Sequence, residues 1–313
     1  MKKVRSSRKI NKIATTPDTI TGRGGIALFS RYLETTGILD ILDSKFGYLR
    51  KSSKGLPAWI LFKQIFCFFF DGTSRHLTYF DQLKKDKGYA AAIETKRSQI
   101  ASSHMIKRFF KLFGWWFAPH FRWLLRKLFI WRLKIMKPIE IVLYLDSMVM
   151  DNDDALKRHG VEPTYKKKKG FHPLHIIWNG IIVDAIFRGG SKNGNFGNTV
   201  VNMVTDLVHL IRSEYSETVT IILRCDSGFF DEKNFNAFDD LNIGFIGSGK
   251  MYDPVKQQAG DAADCYWNSY DIKEQTWSFL EFGFRCDKWK RFYRCFYTRC
   301  LYEGRQMLLD FAR

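Results

Sequence analysis

The stretch Ile221-Ile222-Leu223-Arg224-Cys225-Asp226-Ser227-Gly228-Phe229-Phe230 decides how the chain is read. A run of apolar, largely β-branched residues ends in a carboxylate, then a small residue, then glycine. That is how a buried strand delivers an acid to the edge of a sheet. An earlier segment repeats the pattern: Ile139-Glu140-Ile141-Val142-Leu143-Tyr144-Leu145-Asp146-Ser147. Neither aspartate has a reason to sit alone in a core, because an unpaired buried charge is costly. If the two strands are parallel neighbours, their C-terminal ends bring Asp146 and Asp226 together. Two carboxylates that close repel unless a cation lies between them, and a pair of divalent ions working on phosphoryl transfer meets that need. Mg2+ (or Mn2+) suits oxygen ligands and phosphate substrates. The plain alternative is that each Asp is only a strand-end turn former or helix cap.

Strand patterns occupy the chain from Pro138 onward. After the Asp146 strand comes a polar connection with Asp151, Asp153, Asp154 and the run Lys166-Lys167-Lys168-Lys169. Asn179-Gly180 joins His172–Trp178 to Ile181–Phe187, and Asn-Gly between two apolar runs predicts a tight antiparallel hairpin. The glycine-rich segment 189–197 reads as a loop. Val200, Val201, Val204, Leu207, Val208 and Ile211 then recur at helical spacing. The strand ending at Asp226 follows, then a short helix capped by Asp231, then a fifth strand over 242–246. Three meandering strands, a helical crossover, a strand, a helix and a strand predict an α/β core with a mixed sheet.

Upstream, residues 1–137 read as helices. Gly24-Gly25 opens one, Gly37 breaks it, Pro57 opens another through Phe70, and Thr73 or Ser74 is placed to cap a helix through about Lys85. Phe66, Phe68, Phe69 and Phe70 read as core. Ser102 or Ser103 caps a helix carrying Ile106, Phe109 and Phe113, with Lys107, Arg108 and Lys111 largely on its other side. A longer helix spans 119–134. The basic residues 1–13 form either an arm along phosphates or a solvated tail. Downstream, the residues from about Cys265 to Thr298 are rich in aromatic and β-forming residues and predict two or three antiparallel strands.

The 313 residues carry a net charge of +18, which speaks of partners more than of fold. From Lys96 to Lys137 there are eleven Lys and Arg and no acid. An all-basic surface repels itself, so a polyanion is its natural partner, and each phosphate contact steepens the salt dependence of affinity. Arg97, Lys107, Arg108, Lys111 and Lys166–Lys169 are the expected DNA contacts, and Arg188 is a phosphate contact or a salt-bridge partner near the site. No segment reaches the roughly 18 uninterrupted apolar residues of a membrane span. No signal-peptide core follows the basic start, so no membrane partner and a cytoplasmic location are expected. The six cysteines include no CxxC pair, which removes zinc spacing and leaves reduced, structural thiols. His172 and His175, three apart on a strand, point to opposite faces, which is poor metal geometry. The glycine-rich loop fits neither GxxxxGK[ST] nor GxGxxG.

Four segments carry a family resemblance. Gly24-Gly25-Ile26-Ala27-Leu28-Phe29 resembles an N-terminal entry, and Ser102-Ser103-His104-Met105-Ile106-Lys107-Arg108-Phe109 a helix start of the form Pro-Ser-x-Ser-Thr-x-x-Arg-Phe. Tyr144-Leu145-Asp146-Ser147 and Arg224-Cys225-Asp226-Ser227-Gly228-Phe229 resemble the first and second catalytic acids. Together they resemble bacterial DDE transposases of insertion sequences, in the IS4-like group and closest to the IS1380-type branch. The resemblance implies an RNase H-like catalytic core over 138–250, a helical DNA-binding region over 1–137 and a β-rich insertion over 251–313. It also implies Mg2+-dependent cleavage and strand transfer on double-stranded DNA, both transposon ends and target, with a homodimer in the DNA complex. Asp146 and Asp226 would be catalytic metal ligands.

The family's third acid is a Glu in a Tyr-x-x-Arg-x-x-x-Glu helix. Tyr302-Glu303-Gly304-Arg305 begins that pattern, but Leu309 stands where Glu belongs, and neither Glu274 nor Glu281 has a helical setting. Two acids of three are therefore expected, in a truncated reading frame or fragment. The rival readings are a non-catalytic DNA-binding remnant and an RNase H-fold nuclease.

Overall fold

The computed structural model describes residues 16–50, 55–153, 161–272 and 275–300, which fall into two compact units meeting at Ala118 and Pro119. The basic segment 1–13 and the motif at 302–309 lie outside the described residues.

The first unit is helical: α1 (Gly25–Thr35), α2 (Ile38–Phe46), α3 (Ala58–Asp71), α4 (Phe80–Leu83), α5 (Lys87–Ala92) and α6 (Ser103–Phe110). Gly37 separates α1 from α2 at φ 66°, a left-handed conformation that suits glycine. Phe46, Phe62, Phe109, Phe113 and Phe117 meet mostly edge to face in the core. Two expectations fail here. Ser74 accepts a hydrogen bond from His76 N in a local turn, so no helix starts there and α4 begins only at Phe80. Phe68 is buried, but Phe69 and Phe70 are exposed, because successive helical residues turn away from the core by about 100°. Phe70 instead stacks on Phe29.

The second unit begins with α7 (Ala118–Met136) and continues through β1 (Glu140–Ser147), β2 (Met150–Asp151), β3 (Glu162–Pro163), β4 (Lys169–Phe171), β5 (Leu174–Trp178), β6 (Ile181–Ile186), α8 (Thr199–Glu214), β7 (Thr220–Cys225), α9 (Glu232–Asp240), β8 (Gly244–Gly247), α10 (Asp253–Asp261), β9 (Asn268–Ile272), β10 (Gln275–Phe284) and β11 (Tyr293–Cys300). The main sheet has the order β6-β5-β1-β7-β8. β1, β6, β7 and β8 run in one direction, and β5 alone runs antiparallel to its neighbours β1 and β6. This is the mixed sheet expected of an RNase H-like core. The hairpin at Asn179-Gly180 forms as read, with φ 48° and 76°.

One sheet face is apolar. Ile141, Leu143, Leu145, Ile221, Leu223 and Cys225 alternate onto it and join Val200, Met203, Val204, Leu207, Val208 and Ile211 of α8 in one core. Phe129, Ile130 and Leu133 of α7 belong to the same core. The second unit thus starts about 20 residues before the strand texture does, since α7 packs on the sheet that follows it. Asp184, 0% exposed, fastens this helix: it accepts hydrogen bonds from Arg122 at 2.9 and 2.8 Å and from Arg126 at 2.9 and 2.6 Å. Lys127 pairs with Glu214 at 2.9 Å. Three of the eleven cations between Lys96 and Lys137 therefore hold the fold, a use that a charge count cannot reveal.

The downstream region forms a three-stranded antiparallel sheet, β11-β10-β9, as expected. Trp289 and Tyr293 dock it against Phe235 of α9. Glu281 lies on β10 and pairs with Arg294 at 2.5 Å, so it is engaged away from any site.

Candidate active site

β1 and β7 run side by side with Tyr144 opposite Arg224 and Leu145 opposite Cys225. Asp146 is the next residue of β1 and Asp226 is the residue directly after β7, so both stand at the C-terminal edge of the two paired strands. Alternation decides their face. Leu145 and Cys225 are buried in the core, so the flanking Tyr144, Asp146, Arg224 and Asp226 turn to the other side, where all four are exposed. Each aspartate is fixed by a neighbouring amide. Ser147 N donates to Asp146 Oδ1 at 2.7 Å, and Gly228 N donates to Asp226 Oδ1 at 2.9 Å. Among the described residues, the second oxygen of each carboxylate accepts no hydrogen bond and neither aspartate takes part in an ion pair.

Three further side chains, Tyr144, Arg224 and His175, share this face. Arg224, next to last in β7, donates to Tyr144 Oη at 2.9 Å and lies 4.9 Å over its ring. His175 is the register partner of Asp146 on β5. Burial lowers the His175 imidazole below its ordinary value and Arg188 pushes it the same way, while Asp146 pulls it upward. His175 is thus a neighbour that sequence reasoning missed. Its signal was present in the period of two along β5, but the pairing of β5 with β1 is non-local.

The turn after Asp226 is braced from outside. Gly194 of the glycine-rich loop lies so close that a Cβ there would stand 3.0 Å from Gly228 O and 3.3 Å from the Phe229 ring. Asn234 Nδ2 donates to both Asn195 Oδ1 at 2.8 Å and Phe229 O at 3.0 Å. Beyond Asp146, β2, β3 and β4 form a small sheet whose β3–β4 turn is 164–168. Lys166, Lys167, Lys168 and Lys169 are all exposed there, beside the exposed Tyr165. Lys168 spends part of its charge on Asp153 at 3.4 Å. Glu162 at the start of this hairpin accepts Ser191 N at 3.0 Å and also Ser191 Oγ. These bonds, with the charge of Lys192, hold the Glu162 carboxyl below its ordinary value.

Arg188 points inward. It is 6% exposed, donating to His172 O at 3.0 Å, Gly194 O at 3.1 Å and Thr199 Oγ1 at 3.4 Å. Neither expected role, an exposed phosphate contact or a salt bridge, describes this arrangement, because the loop 189–199 folds over the guanidinium. Burial without a paired carboxylate lowers its pKa.

In the first unit Arg97, Lys107, Arg108 and Lys111 are exposed. Ser102 caps α6 by accepting Met105 N at 3.3 Å, and Asp81 accepts Ser103 N at 2.9 Å. The bonds from Ser103 hold the Asp81 carboxyl below its ordinary range. An open cavity of about 610 Å³ beside this cap is lined by Asp81, Lys84, Lys85, Arg97, Ser98 and Ser102.

Among the described residues no three His, Cys, Asp or Glu side chains converge as a metal cluster, and no helix is long and apolar enough to cross a membrane. The two aspartates alone supply a hard-oxygen donor pair with free acceptor capacity, the donor type that suits Mg2+.

The sequence matches the family model described as transposase DDE domain group 1 over residues 2–312. No curated protein matches it. Among solved structures, a piggyBac transposase synaptic complex with hairpin DNA is 13% identical with a TM-score of 0.33, over 95% of this chain and 55% of that one. A pre-cleavage Mos1 transpososome is 10% identical with a TM-score of 0.25, over 77% and 84%. A Mos1 mariner paired-end complex with Mn is 11% identical with a TM-score of 0.24, over 79% and 90%. The chain therefore spans a little over half the length of the piggyBac transposase it matches.

Proposed function

This chain belongs to the transposase DDE domain group 1 family, and from that premise we propose that it is the transposase of a bacterial insertion sequence, of the IS4-like group and IS1380-type branch. In this reading it binds the terminal inverted repeats and carries out divalent-metal-dependent cleavage and strand transfer. The observation that carries the proposal is the pair Asp146 and Asp226, side by side at the ends of two parallel strands, exposed, each with an uncommitted oxygen. Mg2+ or Mn2+, when bound there, would activate the attacking hydroxyl and stabilise the leaving oxygen.

The chain's own residues do the rest. Asp146 and Asp226 would hold the ions, and the Ser147 and Gly228 amides set the direction of each carboxylate. The lysines of the β3–β4 turn lie on the segment that follows Asp146 and supply positive charge to a DNA strand entering the site. On the first unit, Arg97, Lys107, Arg108 and Lys111 supply a second set of phosphate contacts. Such contacts position DNA without reading its sequence. The fold regions proposed are a helical DNA-binding part, a catalytic core and a β-rich insertion, and the assembly on DNA is a homodimer.

A second reading has one observation behind it. Because no third ligand joins the two aspartates among the described residues, a DNA-binding remnant without catalysis is the alternative. The test is metal-dependent nicking of terminal-repeat DNA by the full chain and by Asp226→Asn. The expected result is nicking by the wild type, none by the variant, and DNA affinity unchanged between them. Binding without any Mg2+- or Mn2+-dependent nicking by the wild type supports the remnant. Loss of folding and binding together in Asp226→Asn returns Asp226 to a purely structural role.

A further inference from the structure

Arg188 carries an unusual burden. Its guanidinium is almost wholly enclosed, Nη2 is buried with no hydrogen-bond partner, and no carboxylate pairs with it among the described residues. A buried charge without a counter-charge is costly, so its retention calls for a reason in what its other nitrogens hold.

The fork of the guanidinium reaches both halves of the acidic pair. Nε donates to His172 O at 3.0 Å. His172 lies two residues before the start of β5, where Met148 N, two residues past Asp146, donates to Pro173 O at 3.2 Å and His175 faces Asp146. Nη1 donates to Gly194 O at 3.1 Å. Gly194 in turn abuts Gly228 O, and Gly228 N is the donor that orients Asp226. The side chain is thus a rigid link between the entry of β5 and the loop that braces the Asp226 turn. His172 adds a second anchor on the same loop, with Nδ1 at 2.6 Å from Lys192 O.

We propose that Arg188 is a positioning residue that sets the separation and direction of the Asp146 and Asp226 carboxylates, by tying the strand beside Asp146 to the glycine-rich loop packed on the Asp226 turn. The proposal rests on the reading of these two aspartates as metal ligands. Arginine suits the task because its planar fork bonds in two fixed directions, whereas lysine offers a single flexible point.

The test uses the full chain as wild type, Arg188→Met and Arg188→Lys. Hydrogen exchange is read by mass spectrometry on 189–199 and 226–230, with α8 as internal reference, and Mn2+ affinity is read by electron paramagnetic resonance. In Arg188→Met, exchange in both segments is faster while α8 is unchanged. Mn2+ affinity falls roughly tenfold, as for other groups that orient a ligand. In nicking assays kcat falls and KM for DNA holds. Arg188→Lys recovers only part of each. Wild-type exchange at 226–230 in Arg188→Met overturns the proposal. If Arg188→Met does not fold, a folded Arg188→Lys with wild-type exchange at 226–230 overturns it as well. A wild type that takes up no Mn2+ defeats the metal-site reading instead, and the link is then judged on the exchange of 226–230 alone.

Discussion

Replacing Asp184 by Asn isolates what holds α7 on the sheet. Asp184 is fully buried on β6 and accepts five hydrogen bonds, two from Arg122, two from Arg126 and one from Ala185 N. The asparagine keeps the shape but removes the charge and turns an NH2 toward a guanidinium. Arg122 and Arg126 side chains are 26% and 16% exposed, so solvent offers them little compensation. Breaking one partner of a buried ion pair costs about 3–5 kcal/mol. Arg126 retains Asp206 at 3.3 Å, which places the expected loss toward the lower figure. With a urea dependence of about 2 kcal/mol per molar, the midpoint for the second unit falls by roughly 1.5 M. The assay is hydrogen exchange in rising urea, followed on peptides of β1, β5 and β7. Replacing Asp184, Arg122 and Arg126 together by Leu, Met and Met should recover most of the loss, since well-packed apolar groups can replace a buried ion pair. A midpoint shift below about 0.5 M in Asp184→Asn would refute the reasoning, because Arg122 and Arg126 would then lose little when the charge that pairs with them is removed.

Three further outcomes are expected. Changing Lys166, Lys167 and Lys169 to Gln should weaken DNA binding alike for all sequences and reduce the log–log salt slope by about 0.9 for each phosphate no longer neutralised, measured by fluorescence anisotropy; an unchanged slope removes the hairpin from the interface. Burial pushes the Cys67 and Cys225 thiols up to about 12, so iodoacetamide at a pH of about 8 should label the exposed Cys265 and spare those two in the folded chain. The Glu162 carboxyl is held below its ordinary value of 4.5 chiefly by Ser191, so the bond is fully present above that pH and is lost as pH falls through the lowered folded value. Exchange of the Ser191 amide, corrected for its intrinsic rate, should rise in that acid range in the wild type, whereas Glu162→Gln should show no such step.

The local features of this protein were legible because each depends on neighbours in sequence. A period of two ending in Asp marked both strands of the site, and Asn179-Gly180 marked the hairpin through its need for positive φ. Ser102 and Asp231 were readable as caps, since a cap bonds an amide two or three residues away. The small strands β2, β3 and β4 were not readable, being two or three residues long and paired across the polar connection.

The sequence by itself determined that two acids end two apolar strands in a chain of excess positive charge. Only the tertiary structure decided which cations serve the fold and which remain outward. Arg122 and Arg126 found Asp184 about 60 residues away, and Arg188 was folded under its own loop, while Lys107, Arg108 and Lys166–Lys169 stayed exposed. An arginine in sequence carries its charge but not its partner, and burial is settled by elements that meet only when the sheet assembles. The same holds for His175, placed opposite Asp146 by a strand register that no local period contains.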